Sequence, residues 1–208
     1  MPLTSRERIL TALQHEAPDR VPILIGASNA TGIQMHAFRR LKQHLGLQAE
    51  ERYLYDWPEL GTANPDEATL IRLGSDVRGV HDRFPQATLQ RNRVRPPHTP
   101  FYDDWGVGQK EIEPGLWFPG LHPLAEAQAF EELERYPWPD MSAPSRVGHV
   151  REHARRLAQE NQYAILGAPW LLFPLERAFA LQGMDRFLLN MASNPGFAQA
   201  LLLKTASL

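Results

Sequence analysis

The sequence predicts an α/β protein in which parallel strands are covered by helices. Three observations carry the prediction. Strand candidates occur at "RVPILIGA", "SDVRGVHD" and "QYAILGAP"; helix-patterned segments lie between them; and turn chemistry near residue 114 marks a hairpin in mid-chain.

Thr4 and Glu7 have capping-box spacing ahead of Ile9, Leu10 and Leu13, so a helix is expected from Ser5 to His15, stopping before Pro18. "RVPILIGA" reads as a strand buried on both faces and ending at Gly26. A helix over 33–45 follows and ends at Gly46, and "PDEATLIRLG" forms a shorter one with Gly74 near its end. "SDVRGVHD" is the second strand. Alternation in "QRNRVR" puts Arg91, Arg93 and Arg95 on one strand face, read as a solvated edge in preference to an anion site. "WGVGQKEI" and "LWF", joined through Glu113, Pro114 and Gly115, form antiparallel arms.

A helix is expected from Leu124, with Ala127, Phe130 and Leu133 inward, stopped by the prolines after Tyr136. "SRVGHVREHARRLAQEN" is a charged amphipathic helix, and "QYAILGAP" the third strand. A helix from Phe173 breaks at Gly183, and Asn194 with Pro195 starts the last one.

The 208 residues, 43% apolar, suit one sizeable core, so a single domain over 1–208 is expected. With 22 basic and 24 acidic residues the net charge is −2, which offers no general attraction to nucleic acid or anionic membrane. The absence of cysteine excludes disulfides and thiolate metal sites within these residues. "WLLFPLERAFALQGMDRFLL" is interrupted by Glu176, Arg177, Asp185 and Arg186 and reads as a buried helix. The N-terminus lacks a signal-peptide pattern, so the protein is expected to be cytoplasmic.

Asp76 opens a buried strand, where an ionised carboxylate must be paired or functional; Arg78, two positions on, is either its ion-pair partner or a substrate contact. Asp103 and Asp104 point to opposite faces if extended, so at most one serves a substrate; a turn and capping role is favoured, with Asp104 as the substrate-facing candidate. Ser28, Asn29 and Thr31 follow the first strand's C-terminal end, where α/β enzymes bind ligands, although an ordinary capped loop is compatible with them. His149 and His153 have a spacing that suits one metal, but Arg146, Arg151, Arg155 and Arg156 favour a solvent-facing helix. No metal ligands are assigned.

"TSRERILTALQHEAPDRVPI", "LGSDVRGV", "DDWGVGQK", "HPLAEAQAFEELERYPWPD" and "FPLERAFALQGMDRFLLNMASNPGFAQALLLK", in this order, resemble the N-terminal half of the uroporphyrinogen decarboxylase superfamily. The resemblance spans nearly the whole chain. It implies the opening part of a (β/α)8 TIM barrel with a β-hairpin insertion and a site at the strands' C-terminal ends.

"IGASNATGI" stands where the decarboxylase of porphyrin biosynthesis carries an Arg-Gln-Ala-Gly-Arg motif, so the arginines that hold a tetrapyrrole's carboxylates are absent. The family's catalytic aspartate maps by motif onto Asp76, where a carboxylate would stabilise positive charge on a pyrrole in this carbon–carbon lyase reaction. "RVPI", "DDWG" and "HPLAEA" resemble the corrinoid-linked methyltransferase branch more closely. In that branch zinc, held by a His-x-Cys pair and a later Cys, activates a thiol that takes a methyl group from a methylcorrinoid. The resemblance places these ligands in the family's C-terminal half, so this segment alone is expected to bind no cofactor and not to complete methyl transfer.

The implied partners are a small-molecule substrate, either a tetrapyrrole or a methyl donor, and a corrinoid protein. Half a barrel would expose a strand edge, so a homodimer or aggregation is expected. The first alternative is a genuine uroporphyrinogen decarboxylase using Asp76 with other cations such as Arg78, and the second, from another class, is a truncated, non-catalytic binding protein.

Overall fold

Thr4 and Glu7 start the first helix together. The Thr4 hydroxyl accepts the Glu7 N–H at 3.1 Å, and the Glu7 carboxylate accepts the Thr4 N–H at 2.8 Å. The structure, a computed structural model, describes residues 2–48, 50–96, 99–113, 116–170 and 173–208, the side chains of 59 and 116 excepted. It is mixed α/β, with helices and small sheets, and divides into two units: Met1–Arg83 with Pro144–Trp170, and Phe84–Ala143 with Leu171–Leu208. The sequence reading treats the same residues as one domain.

In the first unit, α1 (Ser5–Leu13) is followed by the segment expected as the first strand. Residues 21–25 form no regular ladder; side chains supply their bonds instead. The Ile23 N–H donates to Asp76 Oδ2 at 2.9 Å, the Ile25 N–H donates to Ser75 Oγ at 3.2 Å, and Pro22 has no N–H to offer. The Asp76 N–H donates back to the Ile23 carbonyl at 2.8 Å. The expected strand is thus an extended segment tied beside its neighbour. Next come β1 (Ile33–Gln34), α2 (Met35–Leu45), β2 (Thr62–Ala63), α3 (Glu67–Arg72) and β3 (Val77–Val80). Gly46 ends α2 in the left-handed conformation expected of it.

The chain enters the second unit at α4 (Gln86–Arg93), where "QRNRVR" was expected to be a strand. Thr88, Leu89 and Asn92 are buried at helical spacing, and that periodicity overrides the alternating arginines. Asn92 also holds β4 (Phe101–Tyr102) by a reciprocal pair: Nδ2 donates to the Tyr102 carbonyl at 2.8 Å and Oδ1 accepts the Tyr102 N–H at 3.0 Å. β5 (Gly108–Glu113) and β6 (Leu116–Leu121) make the expected antiparallel hairpin; Pro114 and Gly115 of its turn lie outside the described residues. The helix expected from Leu124 begins only at α5 (Phe130–Arg135); residues 122–127 form tight turns instead, the Ala125 N–H donating to the His122 carbonyl and the Ala127 N–H to the Leu124 carbonyl, both at 3.1 Å, while the Leu124 N–H donates to the Leu181 carbonyl at 2.9 Å. Ala127 and Leu133 are buried, but Phe130 is exposed rather than inward.

Returning to the first unit, the long charged segment splits into α6 (Pro144–Val147) and α7 (Val150–Glu160) and leads to β7 (Ala164–Gly167). β7 pairs parallel with β3, Val77 opposite Ala164 and Val80 opposite Gly167. The chain ends in the second unit as α8 (Pro174–Gln182), α9 (Met184–Ser193) and α10 (Pro195–Ala206). Gly183, at φ 90°, makes the expected break, and Asn194 Oδ1 caps α10 through the Phe197 N–H. Here Trp105, Val107, Leu181, Phe187, Phe197 and Leu201 form the core. Among the described residues no helix is long and apolar enough to cross a membrane.

Candidate functional site

Three segments of the first unit lie side by side in chain order: residues 23–27, β3 and β7. Ile23 bonds to Asp76 at one end and Ala27 to His81 at the other, so the first segment runs parallel to β3 as β7 does. Their C-terminal ends therefore share one edge, the usual place for ligands in parallel α/β proteins.

His81 follows β3 directly, and its Nε2 lies 2.9 Å from the Ala27 carbonyl. A carbonyl only accepts, so Nε2 carries the proton and the Nδ1 lone pair is left. Glycine at 79 makes this possible: a Cβ there would stand 2.5 Å from both the Ala27 oxygen and His81 Nε2. The His81 carbonyl in turn accepts from His149 Nε2 at 3.0 Å.

Asp82 is buried and fixed on both oxygens, Oδ2 by Arg146 Nη1 at 2.9 Å and Oδ1 by the Trp170 N–H at 2.7 Å. Tyr55 packs edge-on against His81 with ring centres 5.5 Å apart, and lies 5.5 Å from Trp170. Tyr55 and Asp56 are consecutive residues with φ of 58° and 56°. Each non-glycine residue held there costs on the order of 1 kcal/mol or more, and such strain concentrates at functional sites.

A cavity of about 90 Å³ opens among Tyr55, Asn64, His81, Asp82, His149 and His153. A larger groove of about 500 Å³, reaching between α3 and α7, shares Asn64, His81 and His153 with it. Burial pushes the His81 pKa below its ordinary value, against the Ala27 hydrogen bond, and the nearby His153 acts in the same sense. Burial, Arg156 and His149 lower His153 as well. Both shifts favour the neutral imidazole. The Tyr55 hydroxyl is pushed up to about 12 by burial, although a hydrogen bond to the Asn29 backbone opposes this.

Of the residues expected at a site, Ser28, Asn29 and Thr31 lie on the loop that leaves this edge. Ser28 and Thr31 cap one another within a short turn, and Asn29 Oδ1 accepts from the Thr62 hydroxyl at 2.9 Å. Asp76 lies at the other end of β3, without exposure. It accepts from Arg8 at 2.6 Å, from Arg20 at 2.7 and 2.8 Å, and from the Ile23 N–H. The expected Asp76–Arg78 pair does not form. Arg78 instead makes two bonds to Glu67, at 2.7 and 2.6 Å, and its guanidinium lies 3.4 Å from the Tyr163 ring centre.

Asp104 belongs to the second unit and is half-buried. Its neighbour Asp103 has the turn role: Oδ1 accepts the Trp105 and Val107 N–H groups, and Oδ2 pairs with Arg177 at 3.0 Å. His149 and His153 are half-buried in the cavity wall, while α7 itself buries none of its residues and leaves Arg151, Arg155 and Arg156 exposed.

His81 and Asp82 were missed by sequence reasoning. Their signal was position: they follow the strand, whereas Asp76 precedes it. Among the described residues no three His, Asp or Glu side chains are grouped to hold a metal, and the chain has no cysteine. The residues present therefore do not supply the His-x-Cys and Cys zinc site that the resemblance implies. No family model, curated protein or solved structure matches this chain.

Proposed function

We propose that the chain is the opening arc of a uroporphyrinogen decarboxylase-like (β/α)8 barrel enzyme, on the corrinoid methyltransferase side of that superfamily. Its small-molecule site is the edge formed by Ala27–Thr31, His81–Asp82 and Ala168–Trp170. The observation that carries this reading is the parallel order of residues 23–27, β3 and β7, the sequence in which the first three strands of such a barrel follow one another. The missing arginine motif weighs against a tetrapyrrole with many carboxylates. In this reading a methylcorrinoid, delivered by a partner protein, is the methyl donor and a thiol the acceptor.

Titration with methylcobalamin and with uroporphyrin, followed by tryptophan fluorescence, tests it, because Trp170 stands at the proposed site. Saturable quenching by methylcobalamin is expected, weakened at least tenfold by Asn29→Trp on the rim loop. Binding of uroporphyrin alone would favour the decarboxylase branch. Saturation by neither would overturn the reading.

A further inference from the structure

The edge carries one side chain prepared for proton transfer. His81 has its tautomer set by the Ala27 carbonyl, its ring seated over Gly79, and its backbone held through His149. The nitrogen left over is Nδ1, whose lone pair has no bonded partner among the described residues. We propose that His81 is the proton acceptor of this site, using Nδ1 to take the S–H proton of a small thiol substrate that enters the cavity. The thiol rests on the methyl-transfer reading above; the prepared base does not.

The step is a simple transfer. The S–H bond breaks with its electron pair left on sulfur, and the proton bonds to Nδ1. A thiolate and an imidazolium result, and the imidazolium later returns its proton to water. Charged and titratable neighbours face His81 from each side: His149 and His153 from the α7 end, Tyr55 and Asp56 from the strained turn, and Asp82 and Arg83 along the chain. Asp82, whose charge favours the protonated ring, is paired with Arg146, and Asp56 is paired with Arg83 at 3.2 Å.

The chain has no cysteine, so iodoacetamide can be used to find a nucleophilic imidazole. In that reaction the Nδ1 lone pair attacks the methylene carbon and iodide leaves. Peptide mapping at pH 7 should show His81 alkylated at Nδ1 at least tenfold faster than the exposed His36 and His44. Proton–nitrogen NMR correlations should show the Nε2–H tautomer. His81→Gln, which retains an N–H for Ala27, should remove the fast site while the fold remains.

Alkylation no faster than at His36, or an Nδ1–H tautomer, would overturn the assignment. Slow His81 in a protein that binds methylcobalamin would sink this inference and spare the family reading. Fast His81 without corrinoid binding would do the reverse.

Discussion

Asp76 and Arg8 meet at 2.6 Å with both side chains closed off from water, and Arg20 and the Ile23 N–H complete the shell of the same carboxylate. The carboxylate ties α1 and the extended segment to the start of β3. Asp76→Asn should lower stability by about 2–3 kcal/mol, because half-exposed Arg20 loses its carboxylate and buried Arg8 is left with Asp19 alone. Urea midpoints measure this, and a loss under about 1 kcal/mol would contradict it. His81 alkylation in the folded variant should be unchanged.

The acid behaviour of that network follows in sign. Burial raises the Asp76 pKa, but the Ile23 N–H, Arg20, Ser5 and Arg8 outweigh it, so the net shift is downward. Asp19, hydrogen-bonded to Arg8, falls to about 2. A depressed carboxylate stabilises the fold fully above its unfolded pKa of about 3.9 and loses that contribution as pH falls through the folded value. Acid unfolding should therefore steepen between about pH 4 and pH 2, and Asp76→Asn should flatten it.

In the second unit, burial pushes the Asp103 carboxyl up against the opposing effect of Arg177 and of the Val107 and Trp105 N–H groups. Arg177 also lies with its guanidinium 4.4 Å from the Trp105 ring centre. Arg177→Met should cost about 3–5 kcal/mol, since it strands a buried carboxylate. Asp103 in that variant should then take up a proton, and a group with a raised folded pKa regains stability as pH falls. Urea midpoints at pH 7 and pH 5 should converge toward wild type; divergence would refute the account.

Local signals were legible in the sequence and distant ones were not. The Thr4–Glu7 box, Gly46, the Gly183 break and Asn194 act within a few residues of themselves, and each stands where its chemistry predicts. The β3 and β7 strands were readable because both runs are short and bounded by turn residues, whereas their pairing was not stated by any local signal. Ion-pair partners were hidden: Asp76 finds Arg8 across 68 residues, whereas its near neighbour Arg78 turns to Glu67. Residues 21–25 carry strand composition, yet Ser75 and Asp76 took the hydrogen bonds a ladder would have used. His81 has no motif around it and is distinguished only by the carbonyl and the glycine that the fold brings to its ring.

A histidine held neutral by burial makes stability pH-dependent near neutrality. The folded His81 pKa is lowered, so the unfolded chain binds the proton more readily below about pH 6.5 and stability falls from there downward. His153 acts in the same direction. Stability measured by urea at pH 8 and pH 5 should differ, and His81→Gln should reduce that difference while His36→Gln, on an exposed residue, should not. Equal slopes in the two variants would mean that His81 is not held neutral.

Gly79→Ala tests the seat of the imidazole most directly. The added Cβ would stand 2.5 Å from the Ala27 oxygen and 2.5 Å from His81 Nε2, closer than any real contact, and the oxygen is backbone. Either residues 23–27 shift away from β3 or the His81 ring leaves Ala27, and in both cases the hydrogen bond that fixes the tautomer is lost. Forcing a methyl into packed surroundings costs about 1–3 kcal/mol, so the protein should stay folded with a lower urea midpoint. NMR should then show mixed His81 tautomers, and the fast iodoacetamide reaction should fall toward the rate at His36. Retention of a single Nε2–H tautomer in a folded Gly79→Ala protein would mean that something other than Ala27 and Gly79 orients this ring.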